Sequence, residues 1–173
     1  MGYTTDFTGR FNVNPVLKEE HKHYLNLFSA TRRMERNPDV EPVSNPENDP
    51  IRVAAGLPPG EEGGYFVGAK GLIGQDKDNS ILEYNAPPIG QPGLWCDWVP
   101  NKSGTHIKWN GGEKFYYYVE WIEYLIKHFL EPWGYKLNGK VEWQGESPND
   151  RGRIVIESNI IKTQHQQAKW IDD

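Results

Sequence analysis

Lys114 to Glu131 constrains this chain more than any other stretch of its sequence. Phe115, Tyr118, Val119, Ile122, Leu125, Ile126 and Phe129 return at three- and four-residue intervals. That is the period of a helix with one buried stripe, so the spacing predicts a helix over 114–131. Pro132 and Gly134 supply its stop. Glu123 and Lys127 fall at i,i+4 on the far side, an ordinary solvent pair. So apolar a stripe must be packed against a sheet or a second helix, which sets the kind of fold to look for.

The same helix carries a second stripe. Tyr117, Trp121, Tyr124 and His128 recur at i, i+4, i+7 and i+11. By the rule of 100° per residue, this row lies about 120° around from the first. Aromatic residues make up 13% of the chain, with seven tryptophans. Three coverings for the stripe compete. The long loop 37–64 folds over it, a partner or a second copy buries it, or it lines a pocket. In the pocket case flat rings would stack on a base or sugar, with Trp95, Trp98, Trp109 or Trp143 nearby.

Other periodicities give the sheet. Tyr3, Thr5, Phe7, Gly9, Phe11 and Val13 alternate with polar residues, a strand with one buried face. Asn14-Pro15 reads as a cap and first turn, and Leu17, His21, Tyr24, Leu25 and Phe28 predict a helix from Pro15 to Arg36. Arg32, Arg33 and Arg36 then sit at its C-terminus, matched to the helix dipole. Tyr65–Val67 and Leu72-Ile73 read as short strands. Leu94–Val99 and Thr105–Trp109 form a hairpin about the turn 100–104. Lys140–Gln144 and Gly152–Glu157 form a second hairpin, with Asn138-Gly139 as a tight turn leading in. The order is strand, helix, long loop, hairpin, helix, hairpin. Sequential hairpins make the class α+β, a mainly antiparallel sheet with two helices packed on one face. With 173 residues the chain makes one domain, 1–161, followed by a polar tail, 162–173.

Charge and composition exclude several functions. The chain carries −5 overall. From Asn37 to Gly64 there are six acids and one base, with six prolines, so this acidic, proline-rich excursion holds the whole imbalance. The rest is neutral and shows no basic stripe, which argues against nucleic acid as a partner. No apolar run of 18 residues occurs, so no membrane partner is expected. The N-terminus lacks the pattern of a secretory signal, which makes the cytoplasm the expected location. Cys96 is the single cysteine, which rules out an intrachain disulfide and a CxxC site. It alternates with Leu94 and Trp98 and reads as a small buried hydrophobe. No metal and no cofactor is implied. Asp76-x-Asp78-x-Ser80-x-x-Glu83 departs from the calcium loop, having Ile81 where glycine is needed. Gly68–Gly71 matches a nucleic-acid-binding loop at four positions only and separates β-like pieces rather than helices.

The run GLWCDWVP at 93–100, followed by GGEKFYYYVEW at 111–121, EPWGY at 131–135 and NGKVEW at 138–143, resembles small hypothetical proteins of bacterial and phage genomes. The resemblance implies a compact, non-secreted bacterial or viral protein. It carries over no activity and no functional residue. The expected function is a small non-enzymatic binding protein acting through an aromatic surface on a protein partner or on its own copy, in the simplest case as a C2 dimer. Tyr117, Trp121, Tyr124 and His128 are its candidate contacts. The alternative is a small-ligand pocket, nucleotide- or sugar-like and with or without catalysis, whose stacking and polar groups are Trp95, Asp97 and His106.

Overall fold

The computed structural model describes residues 2–44, 49–58, 61, 63–68, 75–167, 169 and 171–172. Strand β1 (Thr5–Asn14) is followed by helix α1 (Glu19–Ala30), a two-residue strand β2 (Glu35–Arg36) and a short helix α2 (Pro50–Ala54). Among the described residues, strand β3 (Ile81–Glu83) pairs with β2 alone. Strands β4 (Trp98–Pro100) and β5 (His106–Trp109) form the first hairpin, with Trp98 opposite Trp109. Helix α3 (Tyr118–Leu125) runs into a π-helical turn at Ile126–Leu130. Strands β6 (Lys136–Gly145), β7 (Arg151–Glu157) and β8 (Ile160–His165) complete the chain.

Six strands form one antiparallel sheet in the order β4-β5-β1-β6-β7-β8. The fold is therefore α+β, with the helices packed on a mostly antiparallel sheet. β1 lies inside the sheet, and alternation gives it one mainly apolar face. Phe7, Phe11 and Val13 point inward while Thr8, Arg10 and Asn12 point to water. Phe7 meets Trp98, Trp109, Phe115 and Tyr118 edge-on, with ring centroids 4.8 to 5.7 Å apart. Such edge-to-face pairs are worth about 0.5–1.5 kcal/mol beyond the area they bury. Gly9, which is exposed, and Gly139, which is half-buried, fall in register with Val141 and Phe11 of this face and have φ of +114° and +141°. A side chain at Gly9 would run into the Lys140 carbonyl, and one at Gly139 would lie 2.6 Å from the Arg10 carbonyl. The two glycines thus allow β1 and β6 to approach where a Cβ would force them apart.

Several elements differ from the sequence expectation. The first helix covers 19–30 and not 15–36. The chain before it is still tied to the hairpin turn by Val13 N–H to the Thr105 carbonyl and Leu17 N–H to the Gly104 carbonyl, both 2.9 Å. The second helix begins at Tyr118, because Lys114 and Tyr117 both take left-handed backbone conformations that fold Phe115 back into the core. Asn138-Gly139 lies inside β6 and is not a turn. Tyr65–Val67 is not a strand, and Leu72-Ile73 and most of the Gly68–Gly71 loop fall outside the described residues. Residues 162–165 of the expected tail form the last four residues of β8. No helix is long and apolar enough to cross a membrane.

The arginine cluster is corrected too, since α1 has no basic residue in its last turn. Arg33 is 1% exposed and lies over the Phe28 ring at 4.2 Å. Its guanidinium donates to the carbonyls of Gly63, Gly64 and Phe66 and to Gln91 Oε1. Desolvation brings its pKa down to about 10, so it stays cationic. Arg36 pairs with Asp78 at 2.7 Å and caps the Phe66 ring. Burial pushes Asp78 up, but hydrogen bonds from Arg36 and Ser80 outweigh it and hold the carboxyl below its usual range. Asp78 and Ser80, of the run whose sequence departs from the calcium loop, are thus committed to Arg36. These two arginines fasten the irregular segments 63–66 and 78–80 to the body of the protein.

Candidate functional site

The aromatic stripe of α3 splits into a sealed part and an open part. Trp121 is fully buried and Tyr124 is 5% exposed. Trp121 meets Phe28 edge-on, while the Tyr124 ring lies 4.2 Å from that of His128. The chain's own connections close over them. Gln91 Nε2 donates to the Tyr124 hydroxyl at 3.4 Å and to the Gly64 carbonyl. His128 is half-buried, with Nδ1 3.3 Å from the Tyr65 hydroxyl and 3.9 Å from the Glu61 carboxylate. Desolvation lowers the His128 pKa against the pull of Glu61. Of the three coverings expected, residues 61, 63–66 and 91–93 of this chain supply the one over Trp121 and Tyr124.

Tyr117 is the open end, at 57% exposed. It is the N-cap of α3 with φ 57° and ψ 36°, and its carbonyl accepts from Trp121 N–H at 2.8 Å. A non-glycine residue held there costs on the order of 1 kcal/mol or more and persists only when its surroundings fix it. Lys114, three residues earlier, is in the same region at φ 60°. Between these two strained positions, Tyr116 is 47% exposed and its hydroxyl accepts from Tyr3 N–H at 2.9 Å. β1's leading segment therefore steadies this turn.

The turn 113–117 faces the connection 85–95 across a cleft of about 520 Å³. Trp95, Tyr116 and Tyr117 give it aromatic walls, and Pro87, Pro92 and Leu94 add apolar surface. Glu113 and Lys114 bring opposite charges to its lining. The size and the mostly apolar lining with few polar groups match ligand sites in general. Gly93 belongs to this lining, and a Cβ there would lie 3.1 Å from the Tyr117 ring and 3.6 Å from Trp121 Nε1. That indole N–H is buried and has no hydrogen-bond partner among the described residues. An orphaned buried donor costs about 1–3 kcal/mol, so its position under a cleft residue is chemically significant.

The three hairpin residues expected to converge have three different surroundings. Trp95 lines the cleft. Asp97 is buried beside Asn110, whose Nδ2 donates to it at 3.3 Å, and desolvation raises its pKa. His106 lies on the other side of the sheet, paired with Asn12, and its pKa is lowered by burial and by Arg10 and Lys108. Cys96 is fully buried and burial pushes its thiol pKa up, as a packing residue requires. Among the described residues no three His, Cys, Asp or Glu side chains gather to hold a metal ion. Sequence reasoning missed Tyr116, Lys114 and Glu113, because only the left-handed backbone at 114 and 117 turns them toward Trp95. The sequence signal was the run of three tyrosines at 116–118, too many for one buried helix face. Comparison with family models, with curated proteins and with solved structures finds no match.

Proposed function

We propose that this protein is a small binding protein acting through an aromatic surface, and that the surface is the cleft walled by Trp95, Tyr116 and Tyr117. The observation that supports it is the conjunction of two exposed rings on a strained turn, facing Trp95 across the cleft, with an unpaired indole donor behind Gly93. Rings flanking a cleft take the flat face of a nucleotide-like or sugar-like ligand by stacking. Lys114 and Glu113 fix its polar edge, and Trp121 Nε1 awaits an acceptor. In this reading Trp121, Tyr124 and His128 are the footing of the site, and Tyr117 is the residue of the stripe that touches ligand. The chemistry offered is recognition, by stacking and one pair of charges.

Tryptophan fluorescence titrated with a panel of nucleotides and sugars tests this reading. A saturable change that is lost in Trp95→Leu and in Tyr117→Ser supports it. A flat response to every compound, with native mass spectrometry showing no retained mass, removes the small-ligand form. The other form is a protein partner or a second copy seated on the same rings, which the exposure of Tyr116 and Tyr117 favours. A dimer in native mass spectrometry that dissociates in Tyr117→Ser supports that form.

A further inference from the structure

The outer face of the six-stranded sheet collects charges that are scattered along the sequence. Arg10 on β1 lies directly opposite Lys140 on β6, Lys140 opposite Val155 on β7, and Val155 opposite Lys162 on β8. Lys108 on β5 extends this row beyond Arg10, next to Ile107, the partner of Phe11. All four cations are exposed. Arg153 and Arg151 flank the row on β7, each donating through Nε to a glutamine directly across the ladder, Gln164 and Gln144. Lys136 adds a seventh cation on the same face. The carboxylates there are Asp6, Glu142 and Glu157, of which Glu142 stands 3.5 Å from Lys140. This face therefore carries net positive charge in a chain whose total is −5.

Stability does not explain the arrangement. Like charges directly opposite in a ladder are destabilising, and Arg10 has no ion-pair partner among the described residues. The two β7 arginines are held by hydrogen bonds to neutral amides, and Glu142, the one carboxylate that the register places directly opposite a cation of this face, stands across from Arg153. Between the charges stand Thr8, Asn12 and Asn138, all exposed hydrogen-bonding groups. Protein interfaces favour aromatic centres and are depleted in lysine, whereas nucleic-acid interfaces are more polar and far more positive. The face offers no Trp, Tyr or Phe to stack on an unpaired base, which separates it from single-strand platforms. Six strands span about 24 Å, a width over which a duplex presents a phosphate about every 1.7 Å.

We propose that the outer sheet face binds the phosphate backbone of a double-stranded nucleic acid, without reading its bases, through the row Lys108–Arg10–Lys140–Lys162 and the flanking Arg153. The site is separate from the aromatic cleft and stands whether or not that cleft binds a ligand. The cations come from five strands, so no linear stretch of sequence reveals them.

The test is fluorescence anisotropy of a labelled mixed-sequence DNA duplex with the full chain, over a range of salt. Expected is binding at low salt whose log K falls against log salt with a slope of about −4, for four to five phosphates contacted. Arg10→Gln with Lys140→Gln should lower affinity at least about tenfold and make the slope shallower by about 2. Thermal melting of this double variant should match or slightly exceed the parent's, since the like-charge opposition is gone. Failure to bind duplex at low salt overturns the proposal, as does unchanged binding by the double variant. Tighter binding to the single strand, to polyglutamate or to phosphatidylserine vesicles also overturns it, and each names the occupant instead.

Discussion

The two faces of the central sheet obey one alternation rule and put it to opposite uses. Toward the helices, Phe7, Phe11, Val141 and Trp143 meet other rings and aliphatic chains and are nearly or fully buried. Toward water, their neighbours Arg10, Asn12, Lys140 and Glu142 are exposed. Inside, almost every atom bears on stability. Outside, the ladder tolerates a direct Arg10–Lys140 opposition that packing never asked for. The difference teaches where to look for function: the inner face shows what holds the fold, and the outer face and the strained 113–117 turn show what exceeds that need.

The largest effect should come from the inner side. Trp121→Ala removes a fully buried ring from contact with Phe28 and Tyr124. It should cost about 3–5 kcal/mol, read by urea denaturation. A variant of near-parental stability that loses only association would erase the contrast between the two faces and return Trp121 to the interface.

Arg33→Met should come next. It leaves the Gly63 and Phe66 carbonyls without their guanidinium donor and the Gly64 carbonyl with Gln91 alone, and should cost about 3 kcal/mol. The loss is local, so limited proteolysis should cut near residues 61–68 before the sheet unfolds. Uniform resistance would show that the segment is held by packing alone.

A smaller effect depends on pH. His21 stacks on Trp133 with ring centroids 4.0 Å apart, and Nδ1 lies 2.7 Å from the Tyr135 hydroxyl. Lys18 N–H donates to that same hydroxyl, which leaves the phenol proton available to Nδ1. Burial lowers the His21 pKa below its ordinary 6.5. On acidification the unfolded chain takes up the proton first, so stability is complete above about pH 6.5 and is lost as pH falls toward the lowered folded value. His21→Gln should flatten this part of the stability profile. An unchanged slope would assign it to His106 and His128, which are shifted in the same direction.

What was legible in the sequence follows from how each signal is carried. β1, the core face of α3 and both hairpins showed because their buried residues recur within one segment at a fixed period. Arg33 did not show. A buried arginine satisfied by carbonyls from residues 63–66 has no local signature, and its neighbours Arg32 and Arg36 suggested a solvated helix end. The cleft was half legible: Trp95 and Tyr117 were singled out, but the left-handed backbone that joins them was not. The basic face was illegible, since each strand contributes one or two cations and only the register aligns them.

The smallest expected effect bears most directly on that face. Lys140→Thr removes the like-charge opposition to Arg10 and puts a β-branched residue in the middle of β6. It also gives up the exposed pair with Glu142, worth little on its own. The variant should therefore be more stable than the parent, by about 0.2–0.5 kcal/mol at low ionic strength. In about 1 M salt, where the screening length falls to about 3 Å, the electrostatic part of the gain should vanish. Urea denaturation at both salt concentrations reads it. A gain confined to low salt means that Lys140 is kept against the interest of the fold. A loss of stability at low salt means that the lysine is part of what holds the sheet, and the contrast between the two faces is then one of degree.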